Sequence, residues 1–184
     1  MDAARTLGAD LRSLRKSRGL TLEALSGRLG KSVGWLSQVE RDLSTPEPGD
    51  VAALARLLDV PVTLFAAPDA PDAEAGRIVR ASARRAIGER ERGLVEELLS
   101  PDLTDAFEVI HSTFLPGAER RDPVTRHTAE LAVMVAGRLD IWLGGETFTV
   151  AQGDSFRVRG ETLRWANPYN VPAVAVWVIS PPVY

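Results

Sequence analysis

The 184-residue chain has no cysteine and only two histidines, His111 and His127. The first absence removes disulfides, thiolate zinc sites and a cysteine nucleophile. The second leaves little material for an imidazole metal centre or a histidine general base. No apolar run reaches the ~18 residues that a bilayer span needs, and the first 14 residues lack the apolar stretch of a secretory leader. A soluble, cytoplasmic protein with no membrane partner is expected. There is no G-x-S-x-G elbow and no phosphate-binding glycine loop. What is present is globular in make-up, 45% apolar and 26% charged, with a formal charge of −3, enough for one ordinary domain or two small ones.

That small net charge hides an asymmetry. Residues 5–41 carry eight basic side chains, Arg5, Arg12, Arg15, Lys16, Arg18, Arg28, Lys31 and Arg41, against three acidic ones, Asp10, Glu23 and Glu40. An acidic chain can still bind an anion, because phosphate recognition depends on a local patch. Composition changes around residues 66–76, an Ala/Pro/Asp stretch without apolar period whose two prolines oppose helix continuation. Before it, leucines and valines recur at helical spacing in four groups between Leu7 and Leu58, with turn residues between them. After it come short strand-like runs at 94–99, 105–115, 129–135, 139–143, 146–150, 155–158 and 172–180. The pattern predicts a two-domain α + β chain: a five-helix domain at 1–67, a linker at 68–77 and an all-β domain at 78–184, with ten or so strands in a sandwich or jelly-roll barrel.

Within the helical part, Thr21 is suited to cap a helix ending near Leu29-Gly30, and Ser32 to cap the next, from about Val33 to Arg41. Two short helices joined by Gly30-Lys31-Ser32 form a helix-turn-helix, whose second helix can enter a DNA major groove. The apolar period sends Ala24, Leu25, Leu29, Leu36 and Val39 to the core and leaves Val33, Gly34, Ser37 and Gln38 outside. Gln38 can pair with adenine N6 and N7, Ser37 with several base edges and Val33 with a thymine methyl, while Gly34 permits close approach. Glu40 is expected to hold helices together rather than to read a base.

The stretch from Leu7 to Phe65, above all LRSLRKSRGLTLEALSGRLG, WLSQVER and LARLLDVPVTLF, resembles the Cro/phage-repressor-like (Xre) helix-turn-helix family. By matching positions the resemblance implies base contacts from Val33, Gly34, Ser37 and Gln38 and backbone contacts from Lys31, Trp35 and Arg41, with Ser32 in the same binding segment. At Leu22 many relatives carry a phosphate-contacting Gln. The β part resembles a cupin in Pro116-Gly117, in Glu130 with six residues between it and Gly137, in Gly153-Asp154-Ser155 and in Asn167-Pro168. Together the two parts look like the Xre-cupin regulators, cytoplasmic dimers whose barrel is a sensor.

Cupin enzymes hold a metal on an H-x-H-x3-4-E set and a later His. Here the first two positions read Val124 and Arg126, and the last falls at Leu163 or Arg164. His111, His127 and Glu130 are the only remaining candidate ligands, and a loop histidine with a barrel carboxylate is the plainer account of them. No metal and no cofactor are expected. Arg126 and Arg164 beside Glu130 suggest a metal-free cavity for a carboxylate or zwitterion, with Trp165 and an apolar wall of Met134, Phe156 and Trp177. An internal Arg126–Glu130 pair with aromatics in the core is the plain alternative. The expected function is a non-enzymatic, dimeric regulator of a palindromic operator in double-stranded DNA, responsive to a small molecule. The rival is a metal-dependent cupin oxidase or epoxidase with an appended helix-turn-helix, and a third possibility is a barrel that serves dimerisation alone.

Overall fold

The computed structural model describes residues 6–66, 73–74, 76–88, 91–103 and 105–182. Most of the expected linker, 68–72 and 75, lies outside the described residues. Two compact units emerge, one built from the residues up to Arg85 with Ser100–Asp105, the other from Ala86–Leu99 and from Ala106 onward.

The first unit holds four α-helices: α1 (Leu7–Ser17), α2 (Leu22–Leu29), α3 (Val33–Val39) and α4 (Pro48–Leu57). The hydroxyls of Thr6, Thr21 and Ser32 accept from the backbone N–H groups of Ala9, Ala24 and Trp35, which satisfies a donor left over in each first turn. Pro48 opens α4 with its preset φ. The expected fifth helix is not an α-helix. Val62–Phe65 makes a single 3-10 turn after Pro61, because four residues are too few to build an i→i+4 ladder. Leu11, Leu14, Leu25, Leu36, Val39, Leu54, Leu58 and Leu64 form the core. Ala24, expected inside, is exposed, and Leu29 is half-buried. Ser26 is buried instead, its hydroxyl donating to the Glu23 carbonyl at 3.2 Å, so the inward stripe of α2 is rotated from the one that apolar period alone suggests.

Two polar ties fix α3. Arg15, buried on α1, donates from Nε and Nη2 to the two carboxylate oxygens of Glu40 at 2.6 and 2.8 Å, and from Nη1 to the Leu20 carbonyl at 2.8 Å. Hydrogen bonding to Glu40 raises the Arg15 pKa above its ordinary value, against the opposing effect of burial. Just beyond α3, Asp42 adopts φ 56° and accepts from the Gly8 N–H at 3.0 Å. Gly8 has no room for a side chain, since an added Cβ would stand 2.3 Å from the Val39 carbonyl oxygen.

The second unit contains β1 (Arg85–Ala86, shared with the first), β2 (Leu94–Leu98), β3 (Glu108–Phe114), β4 (Glu119–Val124), β5 (Ala129–Ala136), β6 (Arg138–Leu143), β7 (Glu146–Ala151), β8 (Ser155–Arg159), β9 (Leu163–Ala166) and β10 (Ala173–Ser180). They form a six-stranded sheet, β1-β2-β3-β10-β5-β8, and a four-stranded sheet, β4-β9-β6-β7. The charged run of β4 and the four residues of β9 carry no alternation that a sequence reading can catch. Inward positions of β3, β5 and β10 are buried: Ile110, Ser112 and Phe114; Glu130, Ala132 and Met134; Ala173, Ala175, Trp177 and Ile179. Asn167 joins strand ends, donating to the Phe114 and Val171 carbonyls at 2.8 and 2.9 Å while accepting from the Tyr169 N–H. Gly137, between β5 and β6, has φ 72°, and an added Cβ would lie 2.4 Å from the Pro172 carbonyl oxygen.

Two stability predictions follow from these contacts. Arg15→Ala strands the buried Glu40 carboxylate and is expected to cost about 3–5 kcal/mol, read by urea unfolding of the helical unit. Gly137→Ala forces a side chain into a left-handed turn against backbone and is expected to cost about 1–3 kcal/mol, lowering the melting temperature of the β unit; Gly145→Ala, where a Cβ meets nothing, should leave it nearly unchanged.

Candidate functional site

The α3 surface is the first site. Leu36 and Val39 point into the core, which turns Val33, Gly34 and Gln38 to the outside, with Ser37 and Trp35 half-buried at its margins. Residues i, i+1, i+4 and i+5 share one side of a helix, so the four expected base-reading positions form one strip. Gly34 keeps it low: a Cβ there would approach nothing nearer than the Ser32 hydroxyl at 4.0 Å. Lys31 Nζ stands 4.9 Å from the centre of the Trp35 ring and 2.9 Å from the Asp50 carboxylate. Arg41 is exposed, with Nε donating to the Ser37 carbonyl at 3.0 Å. The basic window is smaller than the sequence suggests. Arg15 is withdrawn into its pair with Glu40, Arg18 is half-buried and donates to the Leu58 carbonyl at 3.2 Å, and Arg5 lies outside the described residues. Arg12, Lys16, Arg28, Lys31 and Arg41 remain exposed.

The second site is a cavity of about 40 Å³ within the β unit, room for a few waters or a ligand of a few heavy atoms. Its wall is apolar at Leu94, Ile110, Phe114, Val158, Trp177 and Ile179, and four charged side chains enter it, Glu96, Arg120, Arg126 and Glu130. Glu130 is buried and accepts from the Thr128 hydroxyl at 2.7 Å and from Arg126 Nη1 at 3.3 Å. Arg120 donates to Glu91 at 2.8 Å and Ser112 to Glu96 at 3.1 Å.

Of the seven expected effector-binding residues, the structure brings Arg126, Glu130 and Trp177 to this cavity. The other four do not line it. Met134 is buried in the core; Trp165 packs edge-on against Phe114 with ring centres 4.7 Å apart; Phe156 does the same against Trp177 at 5.3 Å. Arg164 alternates with the cavity-lining Leu163 and the buried Trp165, so it faces the other side of β9, where its guanidinium lies 4.2 Å from the Trp142 ring centre. Arg120 and Glu96 were missed because charged residues in β4 and β2 carry no mark of which face they occupy.

Val124, Arg126, Glu130 and Leu163, which the cupin resemblance matches to metal-ligand positions, all border this cavity, whereas Arg164, the other match for the last position, does not. Only Glu130 among them offers a donor atom, and a guanidinium beside it repels a cation, so this set does not fit a divalent metal. His111 lies on β3 between the inward Ile110 and Ser112, hence on the outer side, with Nδ1 3.7 Å from Glu97; His127 is exposed. Among the described residues no three His, Cys, Asp or Glu side chains come together as a metal site.

Comparison with known proteins agrees with both halves. A helix-turn-helix domain model matches residues 6–67 and a cupin domain model matches residues 110–179. The HTH-type transcriptional regulator SutR of Escherichia coli (strain K12) is 28% identical over 156 residues, 84% of this chain and 82% of SutR. Among solved structures, an HTH_3 family transcriptional regulator from Vibrio cholerae covers 96% of this chain and 95% of its own, at 22% identity and a TM-score of 0.45. The polyketide cyclase RemF from Streptomyces resistomycificus shares the β fold over 58% of this chain and 80% of its own, at 18% identity and a TM-score of 0.52. No helix among the described residues is long and apolar enough to cross a membrane. The chain therefore joins a helix-turn-helix domain at residues 6–67 to a cupin domain at residues 110–179 and is similar over most of its length to a transcriptional regulator.

Proposed function

We propose that the protein is a cytoplasmic, dimeric regulator that reads a palindromic operator through α3, and that its cupin domain binds a small polar effector without metal and without catalysis. The observation that carries the reading is the outward strip Val33-Gly34-Ser37-Gln38, with Ser37 half-buried at its margin, on a helix anchored by Arg15–Glu40 and flanked by the exposed cations Lys31 and Arg41. Two such helices from one dimer reach half-sites about 34 Å apart. Gln38 and Ser37 read base edges and Val33 a methyl group, while Lys31, Arg41, Trp35 and the Ser32 segment set the register on phosphates. Lys31 would exchange Asp50 for phosphate, a small cost for an exposed pair. Residues 1–67 and 78–184 act as the reading and sensing domains, joined at 68–77.

In the barrel, the cavity's two guanidinium and two carboxylate groups favour a ligand that carries both signs, such as a small amino acid, whose carboxylate would lie on Arg126 and whose ammonium on Glu130 or Glu96. Loss of the metal donors supports a binding rather than a catalytic role. Occupancy would change operator affinity by a coupling of about 1–3 kcal/mol.

Binding to operator fragments selected from the genome should weaken steeply with added salt. Gln38→Ala should cost about 1–3 kcal/mol and relax preference at one base pair, whereas Arg41→Ala should weaken all sequences alike and shallow the salt slope. A salt-independent interaction would overturn DNA as the partner. For the cavity, a thermal-shift screen of free amino acids and small carboxylic acids should yield a stabilising compound whose effect is lost in Arg126→Ala and kept in Arg164→Ala; the opposite pattern would remove the assignment. Elemental analysis after dialysis should find no stoichiometric metal, and retained iron or zinc with turnover would favour the enzyme reading.

A further inference from the structure

One strand contradicts the usual division of a solvated sheet. An antiparallel sheet with one wet face alternates apolar and polar residues. On β5, however, the residues between the inward Glu130, Ala132 and Met134 are Leu131, Val133 and Val135, which are 45%, 42% and 48% exposed. On the neighbouring β10 the outward residues are Val174, Val176 and Val178. The register sets Leu131 beside Val178 and Val133 beside Val176, so these six side chains form one continuous patch. Isolated exposed valines are ordinary; a contiguous apolar face marks an interaction surface.

Charge at its borders says what covers it. On one side β8 presents Arg157, in register with Leu131, and Arg159. On the other, β2 presents Glu97, in register with His111 on β3, which in turn is in register with Val176. β1 has only two residues, and in the remaining order β2-β3-β10-β5-β8 of the six-stranded sheet β10 is the middle strand. Suppose a second copy is laid face to face about a two-fold axis along β10. Its β8 then covers the first copy's β2, and the cationic border meets the acidic one twice. An axis across the strands would instead set β8 on β8 and oppose the arginines. Five strands at ~4.8 Å spacing and seven residues at ~3.3 Å give a face of roughly 24 by 23 Å. That is roughly 550 Å² in projection before side-chain relief, above a typical lattice contact and approaching the ~800 Å² per partner of a specific complex.

We infer that this outer face of the six-stranded sheet is the homodimer interface, with Leu131, Val133, Val176 and Val178 at its centre and, around a two-fold axis along β10, Glu97 one two-residue step of roughly 7 Å along the strands from Arg157 of the second copy, within reach of its long side chain. The inference rests on the dimeric reading above and gives it an address. A residue on such an axis meets its own counterpart, and the chain contains no cysteine to confuse a cross-link. Facing sheets lie ~10 Å apart, too far for a disulfide, so in the full-length protein Val176→Cys should be cross-linked to a dimer by a short bismaleimide. Val95→Cys, on the same face but two strands from the axis and 49% exposed, should not. Sedimentation equilibrium should show a dimer for the unmodified chain and at least a tenfold weaker one for Val133→Arg and for Val178→Lys, each with an unchanged circular dichroism spectrum. Glu97→Arg and Arg157→Glu should each weaken association and together restore it. An unmodified chain that sediments as a monomer at tens of micromolar would overturn both this inference and the dimeric reading. A dimer that persists in both charged variants, with no cross-link at position 176, would overturn the face alone. Failure of the double charge swap to restore association would overturn the axis.

Discussion

Strict alternation along β5 constrains most of what the β unit can do. One eight-residue strand gives Glu130 to the cavity and Ala132 and Met134 to the core, and turns Leu131, Val133 and Val135 outward. A slip of one residue would exchange the two sets, placing leucine and valine in the barrel and a carboxylate outside. Pairing with β10 on one side and β8 on the other forbids the slip. Gly137 ends the strand where only a left-handed residue fits, under the Pro172 carbonyl. The register therefore decides, in one stroke, what the cavity contains and what the outer surface offers.

In the helical unit the equivalent constraint is electrostatic. Seven residues of α3 supply little helical stability of their own, so the helix must be held by what touches its ends and its inner side. Leu36 and Val39 are buried, Glu40 is gripped by Arg15, and Asp42 is bound to the first turn of α1 through Gly8. Burying a carboxylate and a guanidinium is costly, and is tolerated because both Glu40 oxygens and three Arg15 donors find partners. The same pair that withdraws a cation from the surface holds the outward strip on α3 in a fixed position.

Legibility in the sequence followed the strength of local signals. The caps at Thr21 and Ser32, the Gly30 turn and the long apolar strands stood out because each has its own chemistry or period. Val62–Phe65 has a helical apolar pattern but too few residues to close an α-helix, and β4, written ERRDPV, has no apolar period at all. Facing was harder than type. Arg164 is adjacent to cavity residues in sequence, yet alternation sends it to Trp142 on the far side of β9, while Arg120 and Glu96 reach the cavity from strands that gave no hint of it. The role of Glu40 was readable because a carboxylate next to the buried Val39, in a window of basic residues, had an obvious partner type, though not which arginine would supply it.

The cavity and the outer face are two sides of the same few strands, and this bears on how a ligand could be felt at a distance. Four residues that the cupin resemblance matches to metal-ligand positions, Val124, Arg126, Glu130 and Leu163, converge on this cavity. A tightly coordinated ion would lock those strands; a carboxylate held by one 3.3 Å contact to Arg126 and one hydroxyl does not. A ligand that takes Arg126 from Glu130 leaves a buried charge in need of a new partner, so it must satisfy Glu130 as well or displace its strand. Displacement of β5 would carry Leu131 and Val133 with it, because a packed strand moves as a unit rather than one side chain at a time. An ion pair in place of a metal would thus leave a centre whose displacement alters the outer surface, the kind of two-arrangement element that regulation by ligand requires.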